Sequence, residues 1–254
     1  MLKLLIPAAK SFEAVSDAQS APVITDLGRM HHECNETLRE LTKAHYDALL
    51  RLALAADVRS TGTGTDSSVH MLRIGFLAEA LALLLDEPFE FAQMLRRAAP
   101  LHDIGKLGVS EAVLNKFGGD NDKEPHLTKA HTVIGAQLLG RSRIALFRLA
   151  AEVAMTHHER WDGGGYPLGL AGAAIPMAGR IVAVVDFFDA LTMARSERPA
   201  LSDTVALQMM VAQRGFAFDP RVVDTYIANA DVLIAMRERI NAQPPNFETL
   251  VDGC

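Results

Sequence analysis

The residues in this sequence that are most able to do chemistry are histidines that stand beside or near aspartates. The chain has nine histidines in 254 residues. A single histidine in a helix is more often a packing residue than a ligand, so adjacent pairs and their order carry the signal. Five histidines form an ordered set with three acids, and His126 is a weaker sixth histidine. The set is His70, His102, His131, His157 and His158, with Asp66, Asp103 and Asp186.

The dipeptide His102-Asp103 follows a mostly apolar stretch at 95–101 and precedes Ile104-Gly105-Lys106. Two strongly polar side chains at the buried end of a helix need partners, because burying them unpaired is costly. A metal ion would be such a partner. Neutral imidazole and carboxylate together suit first-row ions such as iron or manganese, and the lack of a nearby thiolate argues against structural zinc.

A second adjacent pair, His157-His158, is followed by Glu159 and by a glycine run at 163–165. Glycines let the backbone turn tightly and approach a ligand or a helix closely. We therefore expect this loop to shape the mouth of a site. The similar tripeptide His31-His32-Glu33 has no Asp-Gly turn after it, so we leave it out of the site.

Helical periodicity extends through most of the chain after residue 66, and no convincing set of alternating strands is found. The predicted fold class is therefore all-α. Asp66 or Ser67 is predicted to cap the first of these helices, and Asp219-Pro220 supplies a capping carboxylate before a proline at the first helical position. The predicted helices are 67–86, 88–104, 126–140, 143–158, 176–195, 201–214 and 220–241.

The N-terminal part differs in pattern. Residues 1–26 show no sustained period and predict a loosely ordered arm. From Leu27 to Ala55, apolar residues, two alanines and two histidines alternate steps of four and three, as in a coiled-coil seam, before a Gly/Thr-rich stretch at 60–65 breaks the helix. The helix either packs on its own domain or forms a dimer. The seam is Leu27, His31, Cys34, Leu38, Leu41, His45, Ala48, Leu52 and Ala55.

Composition and charge exclude some function classes. The formal net charge of −6 argues against DNA or RNA polymers as partners, because binding many phosphates requires a basic face. Cys34 and Cys254 lie far apart and fit free thiols in a reducing cytoplasm. We expect no signal peptide and no membrane-spanning segment, and hence a cytoplasmic protein.

Taken in order, these motifs resemble those of the HD-GYP domain family within the HD superfamily of metal-dependent phosphohydrolases. The resemblance covers about residues 57–230 and implies an HD-domain helical bundle with an N-terminal helical extension. We therefore expect an arm and helix at 1–56, which is a regulatory or dimerisation segment, and a phosphodiesterase domain at 57–254. The matching strings are His70, the run 102–106, His131, the run 157–167, the run 180–191 and Phe218-Asp219-Pro220.

The resemblance implies a bacterial phosphodiesterase that hydrolyses the cyclic dinucleotide c-di-GMP to pGpG, GMP or both. Two or three metal ions, iron or manganese, would share a hydroxide that attacks the phosphate in line. One ion would be held by His70, His102, Asp103 and Asp186. Asp103 would bridge to a second ion held with His131, His157 and His158. Asp66 stands where some members have a glutamate that recruits a third ion.

The resemblance also implies substrate contacts. Lys106 would join Asp103 in catalysis by stabilising charge on the phosphate, and Arg195 and Arg198 would bind phosphate oxygens. Glu197 departs from the family pattern, since an aromatic residue is expected there, and Ser196 replaces the usual proline. Tyr166 would contact the substrate or a diguanylate cyclase (GGDEF) partner.

Two alternatives stay open beside c-di-GMP hydrolysis. The same metal site could act on another cyclic dinucleotide or nucleotide phosphoester, which the departure at Glu197 keeps in view. Alternatively, the chain could be a non-catalytic regulator that binds c-di-GMP or a partner protein. The complete set of ligand positions argues against this last reading.

Overall fold

The structure, a computed structural model, describes residues 16–61, 64–109, 126–194 and 199–251. In these ranges the chain forms α-helices, short 3-10 helices and no β-strand, which confirms the all-α prediction. Arg214 and Phe218 make an isolated bridge. The α-helices are α1 Ser16–Thr61, α2 Gly64–Leu84, α3 Phe89–Ala98, α4 His126–Leu139, α5 Ala145–Thr156, α6 Met177–Thr192, α7 Asp203–Ala212, α8 Pro220–Ala228 and α9 Ala230–Ala242.

The chain divides into two compact units, one up to His45 and one from Tyr46 to Gly253. In the first unit, α1 already begins at Ser16, so the prediction of a loose arm is wrong for residues 16–26. Residues 1–15 lie outside the described part. The second unit includes the last turns of α1, whereas the predicted domain boundary at residue 57 stays a prediction.

In the second unit, α1 packs through a face other than the seam. Tyr46 and Leu50 are fully buried, and Ala53 is nearly so. The seam residues Ala48 and Leu52 are exposed on the same turns. These turns of the helix therefore pack on the second unit, as one of the two open alternatives expects, but through residues outside the seam.

The core of the second unit is built around α2, which contacts α3, α6 and α9. Its side chains Ile74, Leu77 and Leu81 are fully buried among residues of these helices. By length and composition alone, the stretch Ser67–Leu84 could cross a membrane, contrary to expectation, but 56% of it is buried inside the domain. A central core helix accounts for this apolar run, because such a helix is apolar on most sides.

The ends of the predicted helices agree with the structure at Asp219 and differ from it at two other places. Asp219 caps α8 as predicted, since its Oδ1 accepts a hydrogen bond of 2.8 Å from the Arg221 backbone N–H. The predicted helix at 220–241 is divided at Asn229 into α8 and α9. Helix α2 begins at Gly64, so Asp66 and Ser67 lie inside the helix, and the prediction that one of them caps it is wrong.

The predicted helix at 88–104 ends as an α-helix at Ala98 and continues as 3-10 turns on either side of His102-Asp103. The second turn, Ile104–Gly108, packs closely on α4. A Cβ atom on Gly105 would collide with the backbone carbonyl of His131. This approach, which only glycine allows, brings His131 opposite the His-Asp pair.

Candidate metal centre

Seven of the eight predicted metal ligands converge in space, although they come from separate elements along more than a hundred positions. His70 lies on α2, His131 on α4 and Asp186 on α6, while His157-His158 directly follows the end of α5. They form two groups, and within each group one ligand atom per residue lies within 4.8 Å of the others. One group is Asp103, His131, His157 and His158, and the other is His70, His102 and Asp186.

The Asp103 carboxylate connects these two groups. Its Oδ1 lies 3.3 Å from His131 Nε2 and 3.8 Å from His157 Nε2. Its Oδ2 lies 3.3 Å from His102 Nε2, and that nitrogen is 3.9 Å from Asp186 Oδ1. One carboxylate therefore faces both groups at once, which is the placement that a bridging ligand needs.

Backbone carbonyls fix the orientation of two of the buried imidazoles. His102 Nδ1 lies 2.9 Å from the Ala99 carbonyl, and His157 Nδ1 lies 3.0 Å from the Val153 carbonyl. A carbonyl only accepts, so each Nδ1 donates and Nε2 is directed into the site. His102 Nε2 is buried and has no well-aligned hydrogen bond within the described residues. A buried polar atom of this kind fits a metal ligand.

Burial sets the protonation of the second pair of histidines. It lowers the pKa of His157 well below its usual value and that of His158 to about 3, so both are neutral at physiological pH. Burial would also lower the pKa of His102, but the Asp103 and Asp186 carboxylates outweigh it and raise that pKa to about 9. A proton and a cation would therefore compete for His102 Nε2.

The charge of Asp103 is maintained against the effect of burial. Burial alone would raise its pKa, but the neighbouring Lys106 and His102 hold the pKa well below its usual range. The Lys106 ammonium lies 2.5 Å from Asp103 Oδ2 and 3.9 Å from Asp57 Oδ1. Lys106 thus stands beside the carboxylate that joins the two groups, and its predicted contact with a substrate phosphate stays a prediction.

A buried carboxylate that is not among the predicted site residues orients His70. Asp189 Oδ2 lies 2.7 Å from His70 Nδ1 and accepts a hydrogen bond of 3.0 Å from Arg73 Nη2. Arg73 Nε also donates to Asp189 Oδ1. A spacing signal was available, since Asp189 lies three residues after Asp186 and Arg73 three after His70. Residues three apart share a helix face.

The predicted loop at 163–167 lies at the edge of the first group. The Tyr166 ring stacks on His158 at 4.8 Å between centroids, with 21° between planes. Lys129 Nζ, which is not among the predicted residues, lies 4.8 Å from the centre of the same ring. Tyr166 therefore lies against a member of the first group, and its predicted contact with a substrate or partner stays a prediction.

The buried carboxylate of Glu159 holds this loop. It accepts hydrogen bonds from the backbone N–H groups of Leu168 at 2.7 Å and Leu170 at 2.9 Å. Gly165 lies so close to the backbone of Glu159 and Arg160 that a Cβ there would collide with both. The expectation of a tight loop that shapes the mouth of the site agrees with these contacts.

Several predicted residues lie outside the described part. Arg195, Ser196, Glu197 and Arg198 lie outside it entirely. The side chain of Asp66, one turn before His70 on α2, is also outside it, as is that of His126. Their predicted roles stay predictions.

Comparison with known proteins identifies the family of the chain. A family model described as HD domain matches residues 36–222. The 3'3'-cGAMP-specific phosphodiesterase 2 of Vibrio cholerae is 38% identical over 200 residues, which are 79% of this chain and 37% of that protein. The cyclic di-GMP phosphodiesterase response regulator RpfG of Xanthomonas campestris is 40% identical over 191 residues, which are 75% of this chain and 50% of RpfG.

A solved structure agrees in fold. The crystal structure of a cyclic GMP-AMP specific phosphodiesterase of V. cholerae, V-cGAP3, matches with a TM-score of 0.52 at 20% identity, over 78% of this chain and 55% of that one. The chain spans half or less of the length of the two relatives above. The family match covers most of the chain and the His-Asp motifs follow the family order, so the chain belongs to the HD domain family, in its HD-GYP branch.

Proposed function

We propose that this chain is a metal-dependent phosphodiesterase that hydrolyses c-di-GMP to pGpG, GMP or both. The observation that carries this proposal is the convergence of two His-Asp groups on the single carboxylate of Asp103. Adjacent metal sites that share a carboxylate suit the in-line displacement of a phosphodiester. Relatives named as cyclic di-GMP phosphodiesterases support the substrate class.

Two divalent ions, iron or manganese, fit the two groups best. The donors are imidazole nitrogens and carboxylate oxygens, and the described groups contain no thiolate. Asp66 is a candidate ligand for a third ion. When bound, these ions would supply Lewis-acid activation of the phosphodiester and of the attacking water.

The chain's own residues would bind and orient the substrate. Lys106 would place its ammonium against a phosphate oxygen, and Arg195 and Arg198 would add guanidinium groups. Tyr166 would contact the ligand at the mouth of the site, where its ring is already fixed on His158. These contacts would align the phosphodiester with the two groups of ligands.

A second candidate substrate is 3'3'-cGAMP. Relatives named as 3'3'-cGAMP-specific phosphodiesterases match this chain at 34–38% identity. Glu197 also replaces the aromatic residue expected between the two arginines, which could change base preference. Both candidate substrates would be hydrolysed at the same two groups of metal ligands. The two proposals therefore differ only in how the chain recognises the substrate.

The test combines metal analysis with a product assay. Protein purified without oxygen is analysed for metals by mass spectrometry and then incubated with c-di-GMP or 3'3'-cGAMP. We expect iron or manganese in the protein and linear dinucleotide or mononucleotide as product. Faster hydrolysis of 3'3'-cGAMP would favour the second candidate. Full metal occupancy with both cyclic dinucleotides left intact would contradict both.

A partner and a location also belong to the proposal. The loop after Tyr166, where Leu168 is 59% exposed, is the candidate surface for a diguanylate cyclase (GGDEF) protein. The thiol of Cys34 is free and exposed, which suits a reducing cytoplasm.

A homodimer through the seam of α1 is part of the same proposal. In the first unit, Leu27, Leu38 and Leu41 expose 60%, 55% and 65% of their surface. Heptad spacing favours pairing with a second parallel helix. The charged residues between positions 26 and 43 lie neither on the seam nor at the positions that flank it. Two copies would therefore bring no like charges together. These charged residues are Asp26, Arg29, Glu33, Glu36, Arg39, Glu40 and Lys43.

Cys34 lies on this seam and gives a direct test of the dimer. In a parallel, in-register pair each seam residue faces its own copy, so mild oxidation should link two chains through Cys34. The measurement is a non-reducing gel with light scattering, in a Cys254→Ser background. The Leu41→Asp variant should be monomeric and should not cross-link. A monomeric parent with no cross-link would refute the dimer.

A further inference from the structure

The last turns of α1 contact the 3-10 turn that follows His102-Asp103. Arg59 Nη2 donates to the Val109 carbonyl at 2.5 Å and lies 3.5 Å from the Lys106 carbonyl. Asp57 Oδ1 lies 3.9 Å from Lys106 Nζ. Two neighbouring side chains of α1 therefore hold the main chain and the side chain of one residue of the site.

Lysine needs such support to act on a defined atom. Its four-carbon side chain has high rotamer entropy, and its ammonium is a point charge without directional fork geometry. Two carboxylates lie beside Lys106 Nζ, at 2.5 Å for Asp103 and 3.9 Å for Asp57. Asp103 also faces the imidazoles of both ligand groups, so its charge is shared among several neighbours.

Asp57 differs from Asp103 in two respects. It belongs to neither group of candidate metal ligands in the described chain. It is buried, with 7% of its surface exposed, so water and salt screen its attraction for Lys106 less than at a surface. Asp57 can thus hold the ammonium without competing for a metal.

We infer that Asp57 is a positioning residue for Lys106, and that Arg59 fixes the backbone on which Lys106 stands. Asp57 acts through the lysine and touches neither substrate nor metal. This inference rests on the proposed role of Lys106 toward the substrate phosphate. It adds the end of α1 to the parts of the chain that set the rate of the reaction.

The alternative is a structural role, in which Asp57 only neutralises a partly buried ammonium. The two roles differ in what the Asp57→Asn variant changes. A structural role lowers the melting temperature and the amount of folded enzyme. A positioning role lowers kcat for each folded molecule with KM little changed, because Lys106 acts on charge that develops in the transition state.

The experiment compares full-length Asp57→Asn, Asp57→Glu, Lys106→Met and the double variant Asp57→Asn with Lys106→Met. The matched control is Asp47→Asn, an acid of the same helix that pairs with the surface residue Arg51 at 2.8 Å. Metal content, melting temperature, kcat and KM are measured for each. We expect kcat of Asp57→Asn to fall on the order of tenfold, with metal content unchanged.

Two further results follow from the same inference. Asp57→Glu should recover part of kcat, because it restores the carboxylate. In the Lys106→Met background, Asp57→Asn should cause no additional loss, since residues that act as a unit are not additive. Three results would overturn the inference. They are an unchanged kcat in Asp57→Asn, a loss of activity that only follows the amount of folded protein or of metal, and a full additional loss of kcat in the double variant.

Chemical labelling tests the inference independently of turnover. Lys106 in Asp57→Asn should react severalfold faster with an amine-acylating reagent than in the parent or in Asp47→Asn, as read by peptide mass spectrometry. Equal labelling would overturn the inference even if the parent protein hydrolyses neither cyclic dinucleotide. An inactive parent with faster labelling would instead refute the proposed function and leave the contact between Asp57 and Lys106 supported.

Discussion

We expect the Asp103→Ala variant to lose bound metal and turnover together, with kcat/KM reduced by roughly a thousandfold or more, because metal-ion catalysis contributes several kcal/mol to such a reaction. Asp103 faces His131 and His157 on one side and His102 on the other, at 3.3 to 3.8 Å. No other carboxylate in the described chain belongs to the larger group. Its removal therefore affects both groups. The measurements are metal content by mass spectrometry and cyclic dinucleotide hydrolysis.

Two comparisons separate this loss from general damage. Asp103→Asn keeps the shape of the side chain and removes the charge, so it should also lose metal. Asp224→Asn removes a carboxylate that pairs with Arg214 on an exposed surface, and it should behave like the parent. Retention of the parent metal content and near-parent turnover in Asp103→Asn would contradict the bridging role.

The sequence predicted the site best where residues that can bind a metal lie at the ends of helices. Adjacent His102-Asp103 and His157-His158 pairs need polar partners at the ends of apolar stretches, and both pairs do lie in the two groups. The cap at Asp219 was equally predictable, because an acid before proline satisfies free N–H groups at a helix start. Local rules were sufficient in these cases.

Other features depend on packing that a single sequence does not display. His102 lies between 3-10 turns and not within an α-helix, and the turn after it brings Gly105 against the His131 backbone. The contact between Asp57 and Lys106 joins residues 49 positions apart across two elements. Such a pair produces no periodic pattern in the sequence, so it is found only in the three-dimensional structure.

Asp189→Asn is expected to reduce metal affinity about 10–100-fold, the usual effect of removing a group that orients a ligating histidine. Asp189 lies 2.7 Å from His70 Nδ1, which directs the opposite nitrogen toward Asp186. Arg73 would also lose its buried counter-charge, and breaking a buried pair costs about 3–5 kcal/mol in the free energy of unfolding. Metal titration and denaturant unfolding measure the two effects.

A second variant separates orientation of His70 from stability. Combining Asp189→Asn with Arg73→Met removes both charges, so no uncompensated charge of the pair is left buried. We expect the double variant to unfold closer to the parent while its metal affinity stays low, because His70 still lacks its carboxylate. Recovery of metal affinity together with stability would show that Asp189 acts only through the fold, since the imidazole would then be oriented by packing alone.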